Sequence, residues 1–210
     1  MEGQTAYWDK VAHSKTFTHP LDKVIMERLD RSVRILDYGC GYGRLAQEFY
    51  ENGFNNVLGV DTSDEMIKRG LANYPHLDLR HIGHASEINI EQESLDLVLL
   101  SVVLTCIPSN KDQTELLRIL HGYLKKGGIL FISDMYVQAD RIASGTYSSP
   151  DGDELNYGVF TLPEGVTLRH HTKEWIKELL GDFSIATERT IPVKTMNGNQ
   201  ADAFQIIAVK

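Results

Sequence analysis

From Val33 onward, short apolar runs alternate with segments whose apolar residues recur every three or four positions, the pattern of strands joined by helices. A first strand is expected at Val33 to Asp37. It runs into Gly39, Gly41 and Gly43, after which Leu45, Ala46, Phe49 and Tyr50 mark one face of a helix ended by Gly53. Val57 to Val60 reads as the second strand. Ser63 caps the next helix, Asp64 and Glu65 oppose its dipole, and Pro75 lies just beyond its end. Leu77 to Ile82 is the third strand. Leu95 to Ser101 is almost wholly apolar, as a central strand covered on both faces must be. Leu116, Leu117, Leu120, Tyr123 and Leu124 form a helical stripe, closed by Gly127 and Gly128 before a fifth strand at Ile129 to Ser133.

The alternation then breaks. Met135 to Arg169 is rich in Gly, Ser, Asp, Tyr and Pro and too long for an ordinary connection, which marks a functional lid or a mobile insertion. A helix capped by Thr172 returns at Lys173 to Leu180, and two β-rich segments, Phe183 to Val193 and Ala203 to Val209, flank a turn at Asn197 to Asn199. Near the other end, Pro20 opens a helix through Glu27. The pattern predicts one α/β domain with a doubly wound, mostly parallel sheet and an antiparallel last strand. It divides into an N-terminal helical cap (1–32), a ligand-binding core (33–134), the insertion (135–171), and a C-terminal helix and β-hairpin (172–210).

Composition narrows the partners. Twenty-one basic against 29 acidic residues give a formal charge of −8, so attraction to nucleic acid or anionic lipid is not built into the whole chain. Cys40 and Cys106 are the only cysteines, too few and too far apart for a disulfide framework or a cysteine-rich metal site, which fits a reducing cytoplasm. Met1 to Val11 lacks the apolar core of a signal peptide. The longest apolar run, Leu95 to Ile107, holds Asp96 and is too short to span a bilayer. A soluble cytoplasmic protein without a membrane or nucleic-acid partner is expected; nothing in the composition speaks to oligomeric state.

The strongest chemical signal is Ile35-Leu36-Asp37-Tyr38-Gly39-Cys40-Gly41-Tyr42-Gly43, a strand ending in glycines that open a helix. Such a loop lets backbone approach a ligand closely. A dinucleotide loop wants G-x-G-x-x-G, but position 44 is Arg and the spacing is G-x-G-x-G, which argues against NAD. Asp61 ends the second strand about 20 residues beyond the loop, where a carboxylate can accept both hydroxyls of a ribose. Loop and carboxylate together point to a nucleoside-type ligand.

ILDYGCGYGRLA at Ile35 to Ala46, VLGVDTSDEMI at Val57 to Ile67, SLDLVLLSVVLTCIP at Ser94 to Pro108 and LHGYLKKGGILFISD at Leu120 to Asp134 resemble the class I S-adenosylmethionine-dependent methyltransferases of small-molecule type. The resemblance implies a Rossmann-like sheet, S-adenosylmethionine as cofactor and S-adenosylhomocysteine as product. By it, Asp37 and the backbone of Gly39, Cys40, Gly41 and Gly43 hold the methionine amino group. Asp61 and Thr62 take the ribose, Met66 packs near the adenine, and Leu100 and Ser101 lie beside the methionine moiety. Gly83-His84-Ala85 stands where the family often has Gly-Asp-Ala, whose Asp accepts from the adenine amino group; a neutral His84 nitrogen can accept the same bond, with an exposed surface histidine as the equal alternative. Thr105 and Cys106 replace a His-containing pair common in relatives.

A methyl group on a sulfonium is already activated for in-line displacement, so the protein has mainly to align a nucleophile, and no metal is expected. An oxygen nucleophile needs a base. Candidates are His170 and His171, ahead of Tyr7 and His19, because the adjacent pair precedes a helix at the far end of the insertion. Tyr147, Tyr157 and Phe160 of the insertion and Trp8 and Phe17 of the cap are candidate walls. Asp151, Asp153, Glu154 and Glu164 fit either a cationic acceptor or a solvated loop. The expected activity is methyl transfer to a small-molecule acceptor. The alternatives are an RNA or protein methyltransferase and a non-catalytic regulator that only binds the cofactor.

Overall fold

The computed structural model describes residues 2–195 and 198–210. Met196 and Asn197, in the expected turn, lie outside the described residues. The chain runs through α1 (Glu2–Val11), α2 (Lys23–Glu27), β1 (Ile35–Tyr38), α3 (Arg44–Glu51), β2 (Val57–Asp61), α4 (Asp64–Asn73), β3 (Asp78–His81), β4 (Leu95–Ser101), α5 (Asn110–Tyr123) and β5 (Leu124–Met135). It continues through α6 (Ala139–Ala143), β6 (Val159–Thr161), β7 (Thr167–Arg169), α7 (Lys173–Leu179), β8 (Ser184–Lys194) and β9 (Gln200–Val209).

Seven strands pair in the order β3-β2-β1-β4-β5-β9-β8, the first five parallel and the last two antiparallel. The sheet is therefore doubly wound, and the chain reverses direction of travel between β1 and β4. Loops at the carboxyl ends of those two strands diverge there and leave a crevice. β4 reads as an unbroken apolar run because both of its faces are covered: Leu97, Val98, Leu99 and Leu100 are all fully buried. On one face Val98, Leu100, Leu130 and Ile132 meet Leu116, Leu117 and Leu120 of α5 and Trp175 and Ile176 of α7. On the other, Ile35, Leu97, Leu99 and Phe131 pack against Leu45 and Phe49 of α3 and Ile25 of α2. Each such side chain stabilises the fold by about 1.5–3 kcal/mol through burial, so the crevice opens from a rigid floor.

Several boundaries shift for local reasons. α2 starts at Lys23 rather than Pro20, because the Asp22 carboxylate accepts the Val24 N–H and makes the cap. α5 ends at Tyr123 and β5 begins at Leu124, so Gly127 and Gly128 lie inside the strand rather than after the helix. There the register slips between Leu95 and Leu97, and the Gly127 N–H donates to the Lys210 carbonyl. Beyond β9, β8 adds a further antiparallel strand whose residues are mostly exposed, as an edge allows. The insertion holds α6, a 3-10 turn at Glu154–Asn156 and the β6–β7 hairpin. Its Tyr147, Phe160, Val166 and Leu168 close a separate apolar cluster around Tyr7, with Trp8 and Val11 of α1 packed against it. Cap and insertion thus roof the crevice together. Among the described residues no helix is long and apolar enough to cross a membrane.

Candidate functional site

A cavity of about 250 Å³ lies under that roof at the carboxyl ends of β1, β2 and β4. One end is built by the glycine loop. Gly39 and Gly41 have φ of +71° and +55°, and a Cβ there would come within 2.5 Å of Val103 Cγ2 and 2.7 Å of Phe17 Cε2. Only glycine meets both demands, and its missing side chains are what bring the loop's backbone to the cavity wall. The Gly41 N–H donates to Asp61 Oδ2 at 2.8 Å, and the Ser63 N–H donates to Asp61 Oδ1 at 2.8 Å. The carboxylate is thereby fixed at the end of β2 with lone pairs left for a ligand. Burial raises the Asp61 pKa, and the amides of Ser63, Gly41 and Thr62 oppose that rise.

Asp37 is the more exposed to consequence. Its side chain is 1% accessible, its Oδ2 has no hydrogen-bond partner, and burial pushes its pKa up to about 7 against the nearby Arg44 charge. Arg44 lines the same end; its guanidinium reaches the His19 carbonyl and Glu48, while its buried Nε donates to nothing. A buried acceptor and a buried donor left open beside one another are costly unless a ligand completes them. A zwitterionic amino-acid group would do so, its ammonium at Asp37 and its carboxylate at Arg44. The Asp61 carboxylate suits a ribose diol, and buried Met66 adds an apolar wall for a base. The residues present therefore fit S-adenosylmethionine.

Of the other residues expected at this end, Cys40, Thr62 and Ser101 line the cavity. Gly43 does not; it sits at the start of α3, where a Cβ would face Leu79 and Leu77. Leu100 is buried in the core, leaving Ser101 and Val102 at the tip of β4 as lining. His84 and Ala85 also stand apart from the lining. His84 Nδ1 accepts the Ser86 N–H and pairs with Ser86 Oγ to start a 3-10 turn, and Ala85 packs into the core, so Ile82 and Gly83 are what reach the cavity.

The opposite end is apolar, with Trp8, Ile107, Phe160, Leu162 and Leu168 as walls and Cys106, Arg141 and His170 among them. Tyr147 and Tyr157 stand behind Phe160 with ring centroids 5.7 Å from Tyr147 to each neighbour. The adjacent histidines part company here. His171 is fully buried away from the cavity. Its Nε2 meets Gln113 Nε2 at 3.0 Å, and its Nδ1 meets the Met135 carbonyl at 3.3 Å. The amide can only donate, so the network assigns the proton to Nδ1 and makes His171 a buried tie between α5 and β5 rather than a base.

His170 lines the cavity, and its Nδ1 lies 2.6 Å from the Tyr147 hydroxyl. That hydroxyl also accepts the Gln138 N–H at 3.0 Å, and among the described residues its own O–H has no acceptor but Nδ1, which assigns the imidazole proton to Nε2. Burial, aided by the Arg141 charge, lowers the His170 pKa to about 3. A neutral ring offering Nε2–H is a hydrogen-bond donor, which corrects its expected role as a base. His19 lines the other end with its pKa lowered to about 4 by burial. Tyr7 is turned into the apolar cluster under the roof, its hydroxyl buried and its pKa raised by that burial, so it too leaves the list of bases.

Two contributors were not legible in the sequence. Val102 has φ of +59°, a left-handed conformation that a β-branched residue adopts only under constraint, and its N–H donates to the Ser133 carbonyl at 2.7 Å. No spacing announces such a residue. Arg141 reaches the cavity only because α6 folds back over it. The acidic residues of the insertion do not line the cavity: Asp151 accepts from Asn156, and Asp153 caps the turn through the Leu155 N–H. Among the described residues, no three metal-ligating side chains gather.

The sequence profile of the methyltransferase-domain family matches residues 36–132. The chain is 30% identical over 181 residues to the ubiquinone biosynthesis O-methyltransferase of Xanthomonas oryzae pv. oryzae strain PXO99A, covering 81% of this chain and 70% of that one. It is 32% identical over 133 residues to the arsenite methyltransferase of Mus musculus, a match that spans 55% of this chain and only 34% of the mouse protein. A crystal structure of a SAM-dependent methyltransferase from Methanosarcina mazei superposes with a TM-score of 0.80 at 24% identity, over 90% of this chain and 98% of that one.

Proposed function

The chain belongs to the class I S-adenosylmethionine-dependent methyltransferases, and from that premise we propose that it methylates a small organic molecule held in the apolar end of the cavity. S-adenosylmethionine supplies, when bound, a methyl carbon that its sulfonium has already activated for displacement. The chain's own residues bind and orient. Asp37 and Arg44 take the amino-acid group, the Gly39 to Gly41 backbone lies along it, Asp61 with Thr62 takes the ribose diol, and Met66 backs the base. His170, neutral throughout the physiological range, directs Nε2–H at the acceptor, under the roof that α1 and the insertion form. With His170 and His19 both held far below neutrality by burial, the chain brings no strong base to the reaction. The acceptor's nucleophile must arrive already deprotonated or lose its proton to solvent, and alignment supplies most of the acceleration.

The observation that carries this reading is the single cavity with two unlike ends. The orphaned Asp37 Oδ2 sits at the end that fits the cofactor, and a largely apolar chamber adjoins it. A cavity of about 250 Å³ for both ends together favours a small molecule over a protein or RNA chain. A ubiquinone biosynthesis O-methyltransferase and an arsenite methyltransferase among the relatives suggest two acceptor classes, organic and arsenical. Trivalent arsenic seeks thiolates; here Cys106 is the one thiol among the apolar walls, and burial raises its pKa, which favours an organic acceptor. We read 33–134 as the cofactor-binding core and 135–171 as the acceptor-binding insertion, in a metal-independent cytoplasmic enzyme. Calorimetry with S-adenosylhomocysteine tests the first half of this reading. Specific binding by the natural chain is expected, and its absence would overturn it.

A further inference from the structure

The acceptor end of the cavity carries an uncompensated positive charge. Arg141 stacks its guanidinium on the Phe160 ring with 4.4 Å from Cζ to the ring centroid, and among the described residues no carboxylate lies within ion-pair distance of it. Among the described residues the carboxylates that line the cavity are Asp37 and Asp61, at the opposite end. Arg141 and His170 are tied to one another through Tyr147, whose hydroxyl accepts from Gln138 at the start of α6 and donates to His170 Nδ1. The same two bonds leave Nε2–H of His170 without a partner. A cation and a neutral donor thus share the cavity wall with the apolar Trp8, Leu162 and Leu168.

Resting on the methyltransferase reading above, we propose that the acceptor is a small aromatic molecule bearing an anionic group, with its ring against Phe160 and Trp8 and its anion bound by Arg141 and His170. A guanidinium already desolvated on one face by an aromatic ring loses less on meeting a carboxylate, sulfate or phosphate than a fully hydrated lysine would. A cationic acceptor would be repelled by Arg141, which no carboxylate among the described residues pairs with. An uncharged ring would leave that charge half-buried and unpaired, the arrangement proteins avoid.

The test uses the full chain saturated with S-adenosylhomocysteine, near neutral pH, titrated calorimetrically with 2-naphthoate, its uncharged isostere 2-naphthamide and cationic 2-naphthylmethylamine. The carboxylate is expected to bind at least about tenfold more tightly than the amide, as one charge-assisted contact requires, and the amine least of all. Arg141→Gln should erase the preference for carboxylate over amide while leaving the amide and S-adenosylhomocysteine affinities in place. Arg141→Lys should restore part of the preference. Equal binding of carboxylate and amide, a preference that survives Arg141→Gln, tighter binding of the amine, or no binding of any of the three would each overturn the proposal. Failure of S-adenosylhomocysteine itself to bind would instead overturn the methyltransferase reading, so the two failures are told apart.

Discussion

The two ends of the cavity are built on different principles. At the cofactor end, backbone does the positioning: Gly39 and Gly41 turn the chain where no side chain fits, and the Gly41 and Ser63 amides fix Asp61 from its own neighbourhood. At the acceptor end, side chains drawn from distant segments do it. Arg169, fully buried, ties β7 to the loop before α5 and to the insertion through the Pro108 carbonyl, Asn110 Oδ1 and the Leu155 carbonyl. Thr105 is held by Asp134 Oδ1 at 2.6 Å and by the Arg169 carbonyl at 2.9 Å. The difference teaches that a ligand with fixed chemistry can be met by local geometry, whereas specificity for an acceptor rests on tertiary ties that can be exchanged without disturbing the loop.

Cutting those ties should separate the ends most sharply. Arg169→Met leaves three half-buried acceptors without their donor, and hydrogen bonds from a charged group are worth about 1.5–3 kcal/mol each. Chemical denaturation is expected to show a loss of about 3 kcal/mol or more, with S-adenosylhomocysteine still bound by the folded fraction. Loss of cofactor binding with the fold intact would mean the ends are not independent. The converse change, Asp61→Ala, removes one ribose-directed acceptor and should weaken S-adenosylhomocysteine binding by about 1.5–3 kcal/mol, roughly tenfold or more. Arg141-dependent acceptor binding should be untouched.

pH provides a gentler probe. Burial pushes the Asp37 pKa up to about 7, so in the free protein the folded state holds a proton that the unfolded chain releases at the ordinary carboxylate value. Between about pH 4 and 7 the folded state is the more protonated, and the contribution of Asp37 to stability therefore falls as pH rises through that window and levels off above it. Cofactor binding runs the other way, because an ammonium needs the ionised carboxylate: affinity should rise with pH up to about 7 and then flatten. In Asp37→Asn both slopes should vanish. A cofactor affinity as steep in the variant as in the natural chain would assign the titration elsewhere. The smallest effect is expected at Val102, where glycine would relieve a left-handed φ worth about 1–2 kcal/mol while losing a half-buried side chain. Thermal denaturation of Val102→Gly should show stability unchanged or raised by up to about 1 kcal/mol, and a marked loss would show that this φ carries no strain.

The same division explains what the chain disclosed in one dimension. The parallel core was legible because burial on both faces writes continuous apolar runs such as Leu97 to Leu100, and the cofactor loop because close backbone approach demands glycine at fixed spacing. The adjacent pair His170 and His171 shows the limit. Sequence gives them one environment, yet β7 ends at Arg169 and the bridge of His171 to Tyr136 turns one ring into the cavity and the other into the core. Arg141 was silent for a similar reason: nothing near it in the chain carries its role, which arises when α6 packs over Phe160. His84 stood at a familiar place in a motif and was captured by Ser86 two residues on, an interaction that local spacing alone does not exclude.

Incubating the chain with S-adenosylmethionine carrying an isotope-labelled methyl group and an extract of small metabolites tests the central claim most directly. The expected result is one labelled small molecule of anionic aromatic character, formed in step with S-adenosylhomocysteine, without added metal and lost in Asp61→Ala at limiting cofactor. Tight S-adenosylhomocysteine binding with no labelled small molecule would contradict transfer into the adjoining chamber and leave a protein that only holds the cofactor.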